Sequence, residues 1–285
     1  MTTIAVTGAS GQLGHLVVDS LIARGVAPSS IVAIARTTAK AADLAERGVD
    51  VRHGDYDQPD TLDAALAGVD RLVLVSASEV GKRVAQHAAV IAAAERAGVG
   101  RIVYTSLLRA DATSNPLAPE HAATEQALAA SPIPATVLRN SWYLENYTGQ
   151  IPTYAATGTV LGATAGATIA AASRADYAEA AAAAALAEDA GGTYELAGTR
   201  FTLDDLAAAV AAATGTPVAH SDVSVEQLTA TFQEVGMDAG TAGFWAAVDA
   251  SIAKGELDTD SDALERLIGR PATSLAEAVA AAQSH

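Results

Sequence analysis

The first fifteen residues join an apolar strand, a glycine loop and the start of a helix without a break. The run Ile4–Val6 leads into a loop with glycines at positions 8, 11 and 14, and an amphipathic helical pattern begins directly afterwards. In such a turn Gly8 permits the sharp bend, Gly11 lets the backbone approach a ligand, and Gly14 lets the helix pack closely on the strand. The N–H groups and the positive end of the helix dipole then face an anion. This segment predicts a site for the pyrophosphate of a dinucleotide.

The spacing Gly-x-x-Gly-x-x-Gly differs from the usual Gly-x-Gly-x-x-Gly, so the prediction depends on the elements that follow. Strand and helix patterns alternate with short connections, which is typical of βαβ units in a parallel sheet. The predicted strands are Ile4–Val6, Ile31–Ala35, Val51–His53, Arg71–Val75, Arg101–Thr105 and Thr136–Leu138. The helices between them are expected at about Gly14–Arg24, Ala39–Arg47, Thr61–Leu66, Val84–Ala97 and Pro119–Ala129. The pattern predicts an α/β fold with a doubly wound parallel sheet, a Rossmann domain, over residues 1–150.

Beyond residue 150 the alternation loosens, which predicts a smaller mixed substrate lobe over residues 151–285. Glycines at positions 158, 162 and 166 indicate a loop-rich passage with short strands. A helix at about Ala175–Ala187 and a strand at Thr193–Leu196 come next, and we expect this part, about residues 175–197, to return to the main sheet. Further helices are expected near Leu203–Thr214, Val225–Val235 and Gly243–Ala253.

Composition argues against several classes of function. The formal net charge of −16 disfavours binding of nucleic acid, since phosphate backbones attract clustered Lys and Arg. The chain has no cysteine, and its six histidines lack the spacing of metal ligands, so we expect no metal site. No targeting signal is visible at the N-terminus, and the longest apolar stretch is too short to span a bilayer. We therefore expect a cytoplasmic protein with no membrane contact.

The end of the second predicted strand indicates which dinucleotide is bound. NAD-binding proteins usually place an acidic residue there for the ribose 2′-hydroxyl, whereas an arginine meets the 2′-phosphate of NADP. Here the strand ends on Arg36, and Lys40 follows one turn later. The pattern favours NADP(H), with a solvated strand end as the alternative. Asp55, after the third strand, is either a contact to the adenine edge or the start of an Asx turn.

Longer runs of the sequence resemble one family of reductases. The glycine loop, Arg36 and the turn His53–Tyr56 are similar to NmrA-like, atypical short-chain dehydrogenase/reductases. Five further runs resemble the bacterial type 2 NAD(P)H:quinone oxidoreductases within that group: Ser76–Gly81, Tyr104–Leu108, Leu138–Asn146, Ser173–Tyr177 and Leu267–Pro271. Reductases of triphenylmethane dyes share the His53–Tyr56 turn but match Ser76–Gly81 less well. The resemblance extends over essentially the whole chain.

The resemblance implies an NADP(H) site at the carboxyl ends of the strands. Its pyrophosphate residues would be Gly8, Ala9, Ser10, Gly11, Gln12 and Leu13, and Arg36 would bind the 2′-phosphate. The ribose and nicotinamide side would be lined by Ser76, Ala77 and Ser78. The nicotinamide end would be closed by Asn140, Tyr143, Glu145, Ser173 and Arg174. The resemblance also implies a monomer or a homodimer.

The sequence lacks the Tyr-x-x-x-Lys pair with which most short-chain dehydrogenases exchange a substrate proton. Its only lysines are Lys40, Lys82 and Lys254, and none has a tyrosine four residues earlier. Ordinary carbonyl reduction is therefore not expected. A quinone or a cationic dye fits better, because it accepts hydride with little need for a positioned acid.

Candidates for the acceptor side are His121 and three aromatic residues after strand six. His121 is either a proton donor to a quinone oxygen or a structural residue. The aromatic residues Trp142, Tyr143 and Tyr147 either stack on a flat acceptor or pack in the core of the second lobe. A Ser106–His121 nucleophile pair has no third orienting group, so hydrolase chemistry is not expected.

These observations predict an enzyme: an NADPH-dependent reductase that transfers a hydride directly to a small quinone-like acceptor. Three alternatives remain. They are a non-catalytic NADP(H)-binding redox sensor, a reductase of triphenylmethane-type dyes, and an epimerase or dehydratase of nucleotide sugars. The missing Tyr–Lys pair argues against the last of these.

Overall fold

The computed structural model describes residues 2–189 and 191–283. Its strands are β1 (Ile4–Val6), β2 (Ile31–Ala35), β3 (Asp50–His53), β4 (Arg71–Leu74), β5 (Arg101–Leu107), β6 (Ala135–Asn140), β7 (Trp142–Tyr143), β8 (Thr159–Gly162), β9 (Ile169–Ala172), β10 (Gly192–Leu196), β11 (Thr199–Phe201) and β12 (Ala219–Asp222). Its α-helices are α1 (Gln12–Ala23), α2 (Ala42–Glu46), α3 (Pro59–Ala65), α4 (Arg83–Ala97), α5 (Ala118–Ala130), α6 (Glu145–Thr148), α7 (Ile151–Thr157), α8 (Arg174–Leu186), α9 (Leu203–Thr214), α10 (Val225–Glu234), α11 (Ala239–Ala253), α12 (Ala263–Ile268) and α13 (Leu275–Ala282). Short 3₁₀ turns precede β2 and α2.

The main sheet has seven parallel strands in the order β3-β2-β1-β4-β5-β6-β10. Strands are added first on one side of β1 and then on the other, so the order reverses between β1 and β4. In a doubly wound sheet this reversal opens a crevice at the carboxyl ends of the strands. The predicted Rossmann fold is confirmed.

Two strands extend further than the sequence pattern predicts. β5 and β6 each continue two residues beyond their predicted ends, and the added residues pair as Ser106↔Arg139 and Leu107↔Asn140. Polar residues interrupt the apolar pattern there, but the backbone ladder continues because the added residues of β5 and β6 pair with each other, and those of β6 also pair with β10. The polar ends of these strands consequently face the crevice.

Helices cover both faces of the main sheet. Because successive side chains point to opposite faces, Ile4 and Val6 pack in the cluster that contains α1 and α8, whereas Ala5 packs in the cluster that contains α3 and α4. α8 is rich in buried alanine, and these small side chains let it lie close to the sheet and to α1. The core of this part is therefore two apolar layers around one sheet.

One helix and one strand from the second half of the chain belong to this sheet. α8 packs beside α1, and β10 pairs with β6 at the sheet edge. The carboxyl end of α8 is bound by two arginines that begin β4 and β5. Arg71 donates to the carbonyl oxygen of Ala185 at 2.6 Å, and Arg101 donates to that of Glu188 at 2.5 Å. Cations there satisfy terminal carbonyls and complement the helix dipole. The division of the chain near residue 150 stays a prediction.

The remaining elements form a smaller mixed part beside the main sheet. β7 and β9 run parallel, β11 is antiparallel to β9, and β8 pairs with β12 in a separate ribbon. Their apolar core contains Trp142, Leu144 and Phe201 together with Leu206 and Ile252 from the helices. The mixed character predicted for this part is confirmed. In the described ranges no helix combines the length and apolarity needed to cross a membrane.

Candidate functional site

A cleft of about 590 Å³ lies at the carboxyl ends of the main-sheet strands. Its walls come from the loops after β1 and β4, the turn after β3, the ends of β2, β5 and β6, and the starts of α4 and α8. The cleft therefore opens at the position where a doubly wound sheet binds its ligands. The residues described in our structure contain no group of three or more His, Asp or Glu arranged to hold a metal ion.

The glycine loop forms one end of the cleft with backbone groups. Gly8 has φ +61°, and a Cβ on Gly14 would lie 2.3 Å from the carbonyl oxygen of Gly8, so both positions require glycine. Gly11 is the N-cap of α1 and offers no side-chain cap, and the first turn of α1 carries no acidic residue. No capping side chain or acidic residue of this turn therefore competes with a ligand for the N–H groups at the start of α1. Such a helix N-terminus binds anions.

The other residues predicted for the pyrophosphate are not equivalent. Ser10, Gln12 and Leu13 line the cleft together with Gly8 and Gly11. Ala9 does not: its side chain is fully buried, and its N–H donates to the carbonyl oxygen of Ile34 at 3.1 Å. This hydrogen bond attaches the glycine loop to β2.

Arg36 lies at the mouth of the cleft with a side chain that is 63% exposed. Its guanidinium donates to Glu79 Oε1 at 2.9 Å, and Glu79 also accepts from Lys82 Nζ at 2.9 Å. These hydrogen bonds, from Lys82 first and then from Arg36, lower the pKa of Glu79. The sequence reasoning missed this carboxylate. An exposed pair of this kind is weak and screened by salt, so Arg36 can exchange it for a ligand anion.

Asp55 forms an Asx turn at the cleft wall. One carboxylate oxygen accepts from the Asp57 N–H at 3.1 Å and the other from Gln58 Nε2 at 3.0 Å. Nearby, Gln86 donates from Nε2 to Asp57 at 3.1 Å, but its buried Oε1 has no hydrogen-bond partner among the described residues. An unpaired buried acceptor costs free energy, so a hydrogen-bond donor of a ligand would be stabilised at the Gln86 side-chain carbonyl.

The loop after β4 is held by side chains from β5 and α4. The Ser76 N–H donates to Thr105 Oγ1 and the Ala77 N–H to His87 Nε2, each at 2.9 Å. Burial, assisted by the charge of Arg83, lowers the pKa of His87 to about 3, so the ring stays neutral and keeps this acceptor nitrogen. Ser76, Ala77 and Ser78 all line the cleft, and their contact with the cofactor stays a prediction.

At the opposite end of the cleft, Ser106 and His121 belong to separate hydrogen-bond networks. Ser106 donates to Glu125 Oε1 at 2.5 Å, and Glu125 is bound by both Nε and Nη2 of Arg139 at 3.0 and 2.6 Å. His121 Nδ1 lies 2.7 Å from the hydroxyl of Tyr104. Ser106 is hydrogen-bonded to Glu125 and His121 to Tyr104, so these hydrogen bonds do not form the nucleophile pair considered from sequence.

Asn140 is the most unusual polar group in the cleft wall. It is 3% exposed, and neither its Nδ2 nor its Oδ1 has a hydrogen-bond partner within the described part of the chain. Native proteins rarely leave a buried amide in this state. Asn140 therefore presents one unpaired donor group and one unpaired acceptor to whatever enters the cleft.

Tyr143 and Arg174 close the same end together. The Arg174 guanidinium lies over the Tyr143 ring at 4.7 Å from the centroid. Burial raises the pKa of Tyr143, against the effect of the nearby Asn140 amide and Arg174. Glu145 and Ser173 do not line the cleft. Glu145 accepts from the backbone N–H of Arg174 at 2.9 Å, and Ser173 caps α8, so both position Arg174.

The three predicted aromatic residues have different surroundings. Trp142 lines the cleft and also joins the core of the smaller part, with 7% of its side chain exposed. Tyr143 lines the cleft. Tyr147 does not: it packs edge-on against Phe201, with ring centroids 5.6 Å apart. Two of the three are thus available to a flat ligand.

The sequence profile of the NmrA-like family matches residues 1–275. This chain belongs to the NmrA-like family. The resemblance predicted from the sequence is confirmed. Quinone oxidoreductase 2 of Escherichia coli (strain K12) is 47% identical over 280 residues, which cover 97% of this chain and 97% of that protein.

Two solved structures match nearly the whole chain. The Escherichia coli NADPH-dependent quinone oxidoreductase complexed with NADPH has a TM-score of 0.95 at 46% identity, with 98% of this chain and 99% of that chain covered. The Citrobacter sp. triphenylmethane reductase complexed with NADP(H) has a TM-score of 0.93 at 38% identity, with 98% and 100% covered.

Proposed function

We propose that this protein is an NADPH-dependent reductase that transfers a hydride directly to a quinone-like acceptor. The observation that carries this proposal is the composition of one continuous cleft. An uncapped helix N-terminus and Arg36 form one end of it, and Trp142, Tyr143 and unpaired polar groups form the other. The identity to the Escherichia coli quinone oxidoreductase over nearly the whole chain supports the same conclusion.

The residues of the cleft fit NADP(H). The close approach of Gly14 to Gly8 leaves the N-terminal N–H groups of α1 facing the cleft, where the pyrophosphate would be held by Gly8, Ser10, Gly11, Gln12 and Leu13. Arg36 would bind the 2′-phosphate, and the unpaired groups of Gln86 and Asn140 would each gain a partner. Ser76, Ala77, Ser78, Tyr143 and Arg174 would line the rest of the cofactor. When bound, NADPH supplies the hydride from nicotinamide C4.

The opposite end of the cleft suits a flat, apolar acceptor. Leu107, Leu117 and Trp142 supply apolar contact area, and His121 lines the same cleft. These residues would exclude water and orient the acceptor, which accounts for hydride transfer without a Tyr–Lys pair. Residues 151–285, apart from α8 and β10 in the main-sheet layer, form in this proposal a lobe that shapes the acceptor side.

The decisive assay follows the absorbance of NADPH and of NADH with purified protein and a panel of quinones. We expect rapid loss of NADPH that depends on the quinone, and slower loss of NADH. Tight NADPH binding by fluorescence without turnover would instead favour a redox sensor. Retained cofactor without net consumption would favour an epimerase or a dehydratase, and absence of NADPH binding would overturn the proposal.

A reductase of triphenylmethane dyes is the second candidate, because the Citrobacter sp. enzyme shares the fold at 38% identity. A cationic dye in the same panel separates the two: a kcat/KM for the dye above that for every quinone would favour the second candidate. We also propose that the protein acts in the cytoplasm as a monomer or a homodimer. Cell fractionation and sedimentation of the purified protein check these two statements.

A further inference from the structure

The hydroxyl of Tyr104 is buried beside the cleft wall. Tyr104 lies in the middle of β5 with no exposed side-chain surface. Its hydroxyl makes one hydrogen bond within the described residues, at 2.7 Å to Nδ1 of His121. His121 is 5% exposed and lines the cleft. The tyrosine thus contacts the imidazole from the side that faces away from a ligand.

The direction of this hydrogen bond follows from counting donors and acceptors. A buried tyrosine hydroxyl carries one proton, and leaving that proton without an acceptor costs free energy. Thr124 also lies near this hydroxyl, but its Oγ1 already donates to the carbonyl oxygen of Glu120 at 2.9 Å and lies 3.0 Å from His87 Nδ1. Nδ1 of His121, at 2.7 Å, is therefore the acceptor to which we assign the Tyr104 proton. A neutral imidazole has one protonated nitrogen, and with Nδ1 accepting, the proton is on Nε2.

The surroundings keep the imidazole neutral. Burial, together with the charges of Arg83 and His87, lowers the pKa of His121 well below its ordinary value. The two nearby carboxylates are engaged elsewhere: Glu120 pairs with Arg83 at 2.9 Å, and Glu125 binds Ser106 and Arg139. No carboxylate among the described residues bonds to His121 and favours its charged form.

We propose that Tyr104 holds His121 in the Nε2–H tautomer, so that the neutral imidazole donates a hydrogen bond to the acceptor oxygen that becomes negative during hydride transfer. This inference rests on the proposed function and replaces the role of proton donor predicted for His121. The quinone receives one hydride from the reduced cofactor and one proton from water, which gives the hydroquinone, and His121 keeps its own proton. A fixed donor of this kind stabilises the negative charge without reorganisation. Tyr104 is a positioning residue.

The tautomer is measured directly by ¹⁵N NMR of histidine-labelled protein, with His121→Gln to assign the signal. We expect a pyrrole-type shift for Nε2 and a pyridine-type shift for Nδ1, both constant between about pH 5.5 and 8, the range in which an ordinary histidine titrates. The reverse assignment of the two nitrogens, or titration of His121 within this range, would overturn the proposal. The measurement needs neither cofactor nor turnover.

Kinetics with a quinone then test the coupling between the two residues. Loss of the donor in His121→Leu should lower kcat by about 10- to 100-fold with little change in the KM for NADPH, because the bond strengthens only as charge develops. His121→Gln keeps a side-chain N–H and should recover part of this loss. Tyr104→Phe should lower kcat several-fold in the wild-type background but not in the His121→Leu background.

An equal loss on Tyr104→Phe in both backgrounds would mean that Tyr104 acts through the fold alone, and the proposal would fail. Tyr154→Phe, the same substitution at a buried tyrosine of the smaller part, is the matched control and should leave kcat unchanged. If the wild-type protein consumes no NADPH with any quinone, the proposed function fails. The NMR experiment still decides the tautomer in that case.

Discussion

The two ends of the cleft are built in different ways. The phosphate end is made of backbone: Gly8 and Gly14 are in contact, and the first turn of α1 carries no cap. The acceptor end is made of side chains from distant parts of the chain, such as Tyr104, His121 and Asn140. A backbone site needs only the right residues at one short spacing. A side-chain site needs several helices and strands to be placed correctly relative to one another.

The largest effect should come from breaking the backbone end. In Gly14→Ala the new methyl would lie 2.3 Å from the Gly8 carbonyl oxygen, so α1 must move and take its N–H groups with it. We expect NADPH affinity, measured by fluorescence titration, to fall by more than about 100-fold.

Gly243→Ala in α11 is the matched control, since an added Cβ there meets no described atom within 4 Å. It should leave NADPH binding unchanged and raise the free energy of unfolding by up to about 1 kcal/mol, because alanine favours a helix over glycine. Normal NADPH binding by Gly14→Ala would show that the loop does not depend on this close approach.

The side chain at the mouth of the phosphate end should have the next largest effect. Arg36→Asp removes the expected partner of the 2′-phosphate and places a negative charge there. We expect the KM for NADPH to rise by about 10- to 100-fold and the KM for NADH to change little, in steady-state assays. Arg24→Asp, the same change at the exposed end of α1, controls for net charge. Equal effects on both cofactors would mean that Arg36 does not bind the 2′-phosphate.

Lowering the pH should reduce the free energy of unfolding through the buried histidines His87 and His121. An unfolded chain binds a proton at each histidine near pH 6.5, whereas His87 in the folded protein has a pKa of about 3. The contribution of His87 to the free energy of unfolding is therefore complete above about pH 6.5. As the pH is lowered further, the free energy of unfolding decreases by about 1.4 kcal/mol per pH unit for this group. The lowered pKa of His121 adds to this slope.

Urea unfolding at several pH values between about 6.5 and 5 measures this slope. His87→Gln should reduce this slope by the equivalent of about one bound proton, because it removes a group whose pKa differs between the folded and the unfolded state. An unchanged slope would mean that His87 titrates normally in the folded protein.

The smallest effect should separate stability from binding at the acceptor end. Asn140→Leu replaces a buried amide without partners by an apolar side chain of similar size. We expect the free energy of unfolding to rise by about 1 kcal/mol without NADPH, because the cost of the unpaired amide disappears. NADPH affinity should fall by about fivefold to tenfold. A loss of stability in urea unfolding would show that the amide is satisfied in the folded protein.

The same contrast explains what the sequence could predict. The glycine loop, Arg36 and the parallel sheet were visible because each depends on local spacing or periodicity. The contact between Tyr104 and His121 was not, since it depends on which side of α5 faces β5, and polar and apolar residues are mixed around that helix. The pairing of Arg36 with Glu79 joins positions 43 residues apart, with no local pattern to indicate it. Of the three aromatic candidates, only packing distinguishes Tyr147, which lies outside the cleft.

The late position of α8 and β10 in the chain has a consequence for biosynthesis. The sheet that begins at Ile4 receives its seventh strand and the helix beside α1 only from residues 174–196. Arg71 and Arg101 leave the ribosome long before the carbonyl groups that they bind at the end of α8. Until α8 has been made, the part of the sheet that it covers beside α1 stays exposed, and in that interval chaperones have apolar surface to bind.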